Sequence, residues 1–113
     1  MPCLFCRIAA GEIPAERVDE SASVLAFRDI SPQAPSHVLL IPKQHVADSA
    51  ADLASSHAAL LGEVFELAAR VAKKEGLDEG WRLVTNVGAQ AGQSVFHLHF
   101  HLLGGRPLHW PPG

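Results

Sequence analysis

The sequence predicts an α+β fold, an antiparallel sheet of about five strands with one long and one short helix, on three observations. One long segment repeats its apolar residues at helical spacing. Several short apolar or alternating segments flank it. The connections between them are short and rich in turn residues, which favours antiparallel neighbours. At 113 residues the chain is expected to form one domain over positions 1–113, enough for a single core and too little for two.

After a short N-terminal turn, residues 15–19 and 23–28 read as a hairpin joined by Glu20-Ser21-Ala22. Residues 29–35 contain Pro32 and Pro35, which disfavour helix, and lead into an apolar strand at 37–41 that ends at Pro42. From 53 to 75 the residues Leu60, Val64, Leu67 and Val71 recur on one face, and Leu61, Phe65, Ala68 and Ala72 widen the stripe. Lys73 and Lys74 suit the negative end of this helix, and Gly76 suits the position after its cap. Residues 81–87 read as a strand, 88–93 as a loop and 94–103 as the return strand. The helices are expected over one face of the sheet, leaving the other to the histidines described next.

That return strand is written FHLHFHLL from Phe96 to Leu103. Period two sends Phe96, Leu98, Phe100 and Leu102 to one face and His97, His99 and His101 to the other. Imidazoles two positions apart lie roughly 7 Å from each other and cannot all be protonated cheaply, so some are neutral near pH 7. A neutral imidazole is a nucleophile, a proton acceptor and a metal ligand. Water, a metal or an anionic substrate could each face this row. Three histidines along one strand span too far to converge on one ion, although one end of the row could bind one. Gly88, Gly92, Gln93 and Ser94 in the preceding loop favour an anion, because they let the backbone turn sharply and aim N–H groups at negative oxygens.

Composition narrows the partners. An apolar fraction of 48% with 19% charged residues describes an ordinary globule, and no apolar run approaches a membrane span. The start, Met1-Pro2-Cys3-Leu4-Phe5-Cys6, lacks the pattern of a signal peptide, so a cytoplasmic location without membrane association is expected. A net charge of −3 offers no footprint for nucleic acid. In a reducing compartment a structural disulfide between Cys3 and Cys6 is not expected. Their spacing suits half a zinc site or a redox dithiol, and the redox use falls away because no strand precedes Cys3.

The run His97-Leu98-His99-Phe100-His101-Leu102-Leu103 resembles the signature of the histidine-triad (HIT) superfamily. Phe27-Arg28-Asp29-Ile30-Ser31-Pro32-Gln33-Ala34-Pro35, His37, Ile41-Pro42-Lys43, Asn86, Gly92-Gln93-Ser94 and the ending from Gly104 to Trp110-Pro111-Pro112-Gly113 extend the likeness, which is greatest to the Hint branch. The resemblance implies a homodimeric purine nucleoside phosphoramidase, hydrolysing the P–N bond of adenosine or guanosine 5′-phosphoramidates and related aminoacyl adenylates. It implies His99 as nucleophile, His101 as donor to a phosphate oxygen, and His37 as a relay. Ser94 would bind the phosphate or protonate the leaving nitrogen, the Gln93 and Ser94 amides would stabilise charge on the non-bridging oxygens beside Gly92, and Asn86 would contact the phosphate and ribose. Asp29 would accept the ribose hydroxyls, and Phe5, Ile8, Phe27, Ile30 and Leu39 would form the slot for the base. His101 stands where the transferase branch carries Gln, which favours hydrolysis. The Trp110 tail, absent from the dinucleoside polyphosphate hydrolase branch, implies a segment lying near the partner subunit. By likeness to bacterial-type members, Cys3, Cys6, His45 and His97 would hold structural zinc, with no catalytic metal expected; free thiols are the alternative. A non-catalytic nucleotide-binding or interaction module, or a dinucleoside polyphosphate hydrolase, is the alternative function.

Overall fold

The computed structural model describes residues 3–113. In chain order it runs α1 (Leu4–Ala9), β1 (Arg17–Glu20), β2 (Val24–Arg28), β3 (Ser36–Pro42), α2 (Ala58–Lys74), β4 (Trp81–Val84) and β5 (Phe100–Gly104). The five strands form one antiparallel sheet in the order β1-β2-β3-β5-β4. Central β3 is buried at every position, so its sequence SHVLLIP runs apolar through its middle without alternation.

Each face of the sheet has its own core. On one, Val64, Leu67, Ala68, Val71 and Ala72 of α2 pack against Val24, Ala26, Val38, Leu40, Leu98, Phe100 and Leu102. The stripe read from 3.6 periodicity is this contact. Helix α2 closes as expected: Gly76 takes φ +70, its N–H bonds the Lys73 carbonyl at 3.2 Å, and the Leu77 N–H reaches back to Ala72 at 2.9 Å. Its end is tied to the sheet through Glu75, which receives Arg28 at 2.7 and 2.9 Å and the Ser36 hydroxyl at 3.1 Å. On the other face Phe5 and Ile8 of α1 cover Leu25, Phe27, Leu39 and Ile41.

Several expectations are corrected. The short helix is α1, where a turn was expected, and it lies on the histidine face opposite α2; the Cys3 sulfur caps it by accepting the Cys6 N–H at 3.4 Å. Helix α2 starts at Ala58, because Ser55–His57 forms a separate tight turn in which His57 Nδ1 accepts the Ala54 N–H at 2.9 Å. The return strand joins the ladder only at Phe100, and β4 leaves it after Val84. Here β3 runs out at Pro42, which has no N–H to give; its carbonyl takes the His97 side chain at 2.8 Å, while the Leu98 N–H goes to Ala47 at 2.9 Å. Phe96, beyond the ladder, is 51% exposed and lies outside the core that Leu98, Phe100 and Leu102 enter.

Candidate active site and metal centre

The strand register places the histidines. Leu39 pairs with His101 and His37 with Leu103, so His37 and His101 meet diagonally on the α1 face. His99 follows in the extended segment leading into β5, and its ring packs edge-on against Phe5 at 4.9 Å and near His101 at 5.1 Å. Its Nδ1–H donates to the His97 carbonyl at 2.7 Å, which leaves a lone pair on Nε2. The Thr85 hydroxyl, just past β4, donates to the His99 carbonyl at 2.8 Å and secures this backbone in place of a ladder bond.

Beside it, hydrogen bonds define the proton positions on two further rings. The Gln33 N–H donates to His37 Nδ1 at 3.0 Å, so a neutral His37 carries its proton on Nε2. That proton is given to His101 Nδ1 at 2.9 Å, so His101 in turn holds its own on Nε2. Asp29 Oδ2 stands 3.4 Å from His37 Nε2 and 4.0 Å from His101 Nδ1, while Oδ1 accepts the Ser31 N–H at 2.8 Å. Burial pushes the His37 pKa down against the pull of Asp29. Burial, reinforced by His99 and His37, pushes His101 down to about 4. Both rings are neutral near pH 7.

On the far side of His99, Cys3, Cys6, His45 and His97 bring their ligand atoms within 4.8 Å of one another. His97 Nδ1 lies 3.2 Å from the Cys3 sulfur and 3.5 Å from that of Cys6, and His45 Nδ1 lies 3.6 Å from Cys6. A tetrahedral zinc with two sulfur and two nitrogen ligands sets its S–N edges at about 3.5 Å. Both rings hold the tautomer a metal needs. His97 gives its Nε2–H to the Pro42 carbonyl at 2.8 Å, His45 gives its own to Asp48 at 2.6 Å, and both Nδ1 lone pairs point inward. Burial raises the Cys3 pKa, but the Cys6 backbone, the Cys6 thiol and His45 outweigh it and bring it below normal; burial and the Cys3 sulfur raise Cys6. The donor set fits a closed metal centre.

The glycine loop is built differently from expectation. Gln93 is buried; its side chain accepts the Gly88 N–H at 2.8 Å and donates to the Asp48 and Val95 carbonyls at 2.8 and 3.1 Å. Its backbone N–H bonds the Gly88 carbonyl at 3.1 Å, which closes the loop on itself. Ser94 follows, exposed. Gly92 takes φ +100 and lies against Asn86, whose Nδ2 would stand 3.9 Å from a Cβ there. Of the apolar slot, Phe5, Ile8, Phe27 and Leu39 are buried, and Ile30 is fully exposed beside Asp29.

Three contributors were missed by the sequence reading. Asp48 stands three residues after His45, a spacing that could have revealed it; Thr85 has no such signal, and Gln33 acts through its backbone.

An α+β domain with a helix on each face of its sheet, three alternating histidines, a fourth hydrogen-bonded to the last of them, and a glycine loop before the row is a histidine-triad protein. The HIT domain model matches residues 10–108, and the chain belongs to that family. A HIT family hydrolase from Legionella pneumophila has a solved structure that superposes with TM-score 0.95 at 52% identity, covering 99% of this chain and 100% of that one. The adenylylsulfatase HINT1 of Arabidopsis thaliana is 50% identical over 99% of this chain and 77% of its own length. A 14 kDa zinc-binding protein of Zea mays is also 50% identical, over 99% and 88%.

Proposed function

We propose that this protein is a purine nucleoside phosphoramidase that cleaves the P–N bond of nucleoside 5′-phosphoramidates through a nucleotidyl intermediate on His99. The carrying observation is the His99 ring itself, with Nδ1–H held by the His97 carbonyl at 2.7 Å and Nε2 free to attack. Nε2 bonds to the α-phosphorus as the P–N bond breaks, and water then displaces His99 to release the nucleoside monophosphate. The leaving nitrogen takes up one proton, which the attacking water returns.

His101 Nε2–H meets a non-bridging phosphate oxygen, and His37 holds His101 in that tautomer. Ser94 meets the leaving nitrogen, with Asn86 and the Gly92 turn beside the phosphate. Asp29 accepts the ribose diol. The base rests on the surface of Phe27 and Leu39, flanked by exposed Ile30.

Cys3, Cys6, His45 and His97 hold structural zinc in this reading, supported by the inward lone pairs and by the name of the maize relative. All four positions of a tetrahedral ion are then filled, so the metal supplies stability and no catalysis. The protein acts as a cytoplasmic homodimer whose tail lies near the partner subunit; the homodimer is supported by Trp110 at 80% exposure, held with the Arg82 guanidinium 5.9 Å from its ring centre.

The name of the Arabidopsis relative supports a second reading, hydrolysis of adenylyl sulfate by the same histidine. The two differ in the leaving group, since an amine must be protonated to depart and sulfate need not be. The test is rapid quenching with radiolabelled adenosine 5′-phosphoramidate, and separately with adenosine 5′-phosphosulfate, followed by peptide mapping. Label on the peptide containing His99 is expected with the phosphoramidate; steady turnover without any such adduct would overturn the mechanism, and turnover of the sulfate alone would select the second reading.

A further inference from the structure

Two clusters of metal-type donors exist among the described residues, the Cys3/Cys6/His45/His97 centre and the trio Asp29, His37 and His101. Spacing does not tell them apart. The trio's ligand atoms stand 2.9, 3.4 and 4.0 Å from one another, which brackets the edge of about 3.3 Å for a tetrahedral zinc bound by nitrogen and oxygen. Donor type does not either, since two neutral imidazoles and a carboxylate are good zinc ligands.

The difference lies on the remote nitrogen of one ring. At the cysteine centre each histidine gives its outer N–H to an oxygen, and the inner nitrogen is bare. His37 has the opposite arrangement: its outer nitrogen, Nδ1, receives a proton donor, the Gln33 N–H at 3.0 Å. A neutral ring has one N–H, so the nitrogen that would bind metal carries it. Binding an ion there would require an imidazolate or two N–H groups facing each other. Asp29 Oδ2, 3.4 Å from that same Nε2, favours the same tautomer.

We propose that the backbone N–H of Gln33 is a tautomer lock, which keeps the proton of His37 on Nε2 and thereby both orients His101 and keeps a divalent metal off Asp29, His37 and His101. The catalytic consequence rests on the phosphoramidase reading; the exclusion of metal does not. The lock is itself held in place. The Gln33 carbonyl accepts Arg106 at 3.0 Å, and Asp29 Oδ1 ties down Ser31 at 2.8 Å. Pro32 and Pro35 stiffen the same loop. Gln33 is a positioning residue and acts only through His37.

The experiment compares the wild-type protein with Gln33→Ala, which keeps the N–H, and Gln33→Pro, which removes it. The first readout needs no variant: the imidazole nitrogen shifts of His37 in the wild-type protein, by long-range proton–nitrogen correlation at pH 7.5. Protonated Nε2 and bare Nδ1 are expected; the reverse overturns the lock, whether or not Gln33→Pro folds. The second readout is zinc uptake, for which Gln33→Pro is expected to take up one ion more per chain than Gln33→Ala and to hold it at least about tenfold more tightly than wild type. Equal uptake by the two variants overturns the proposal. The third is kinetics, with kcat on adenosine 5′-phosphoramidate in metal-free buffer expected to fall about 10- to 100-fold in Gln33→Pro, KM nearly unchanged, and Gln33→Ala within about twofold of wild type. Should the wild-type protein fail to hydrolyse the phosphoramidate while the tautomer and zinc results hold, the lock stands and the substrate reading falls.

Discussion

Lowering the pH from 7.5 to 5.0 should destabilise the protein in a way that His101→Gln largely removes. In the folded chain the pKa of His101 is pushed down to about 4 by burial and by the neighbouring His99 and His37, against 6.5 for a free histidine. Its side chain is only 21% exposed, so solvent screens little of this. The sign follows from which state binds more protons. Between the two pKa values the unfolded chain takes up a proton that the folded chain refuses, so stability is full above pH 6.5 and falls as the pH drops towards 4. From pH 7.5 to 5.0 the loss from this group alone works out at about 2 kcal/mol, and below pH 4 it reaches about 3. His37, whose pKa is also lowered by burial, pulls in the same direction and remains in the variant. The cysteine centre takes up protons in both chains and cancels in the difference. Urea denaturation of the two proteins at both pH values, at one protein concentration and followed by Trp81 and Trp110 fluorescence, measures the quantity. The wild-type protein should lose about 2 kcal/mol more than His101→Gln over this interval; equal losses would refute the claim that the fold holds His101 neutral.

Replacing Cys3 and Cys6 together by Ser should abolish zinc binding and lower the thermal midpoint while leaving measurable hydrolysis; a folded, dimeric variant with no activity would contradict a purely structural centre. Thr85→Val removes the hydroxyl that bonds the His99 carbonyl at 2.8 Å, and kcat should fall about fivefold, the worth of one ordinary hydrogen bond, with nucleotide affinity unchanged by calorimetry. Gly105 takes φ +93, and a Cβ there would stand 2.9 Å from that of Pro35, so Gly105→Ala should cost about 1–3 kcal/mol in urea denaturation, and an unchanged midpoint would refute the contact. Ser94→Ala should slow hydrolysis of the phosphoramidate at least about tenfold more than that of adenosine 5′-phosphosulfate, because Ser94 meets the leaving nitrogen and only the amine must be protonated to depart; equal slowing would assign Ser94 to phosphate binding alone.

What could be read from the residues was whatever repeats with a period. The stripe Leu60, Val64, Leu67 and Val71 specifies α2, and the alternation through Leu98, Phe100 and Leu102 specifies which side of the sheet the histidines take. Helix α1 has six residues and a cysteine cap, too short to show a period. The departure of residues 94–99 from the ladder depends on where β3 ends, at Pro42, 55 positions before His97, and no local pattern carries that information. The candidate site divides in the same way. Histidines and cysteines were legible as types, and the donor set Cys3, Cys6, His45 and His97 does converge. The bond from the Gln93 amide to the Gly88 carbonyl, which closes the loop on itself, is a three-dimensional fact with no trace in composition.

Five of the seven histidines here divide into three kinds of use by one structural variable, the partner of the nitrogen facing away from the work. A backbone carbonyl two residues back takes the Nδ1–H of His99 and leaves Nε2 bare, as the proposed nucleophile requires. An oxygen on Nε2 leaves Nδ1 of His45 and of His97 bare towards the cysteines, as the proposed zinc site requires. An N–H on Nδ1 turns Nε2 of His37 into a donor, and His101 inherits the same sense from it. Burial holds His37 and His101 neutral, so a single proton per ring has to be assigned, and each assignment is made by a backbone group or a neighbour already in place before any substrate arrives. The His97 residue joins two of these uses, with its ring among the cysteines and its carbonyl holding the nucleophile. In the proposed reading metal and nucleophile therefore share one residue without sharing an atom, which is why loss of the metal should be felt first in stability and only weakly in chemistry.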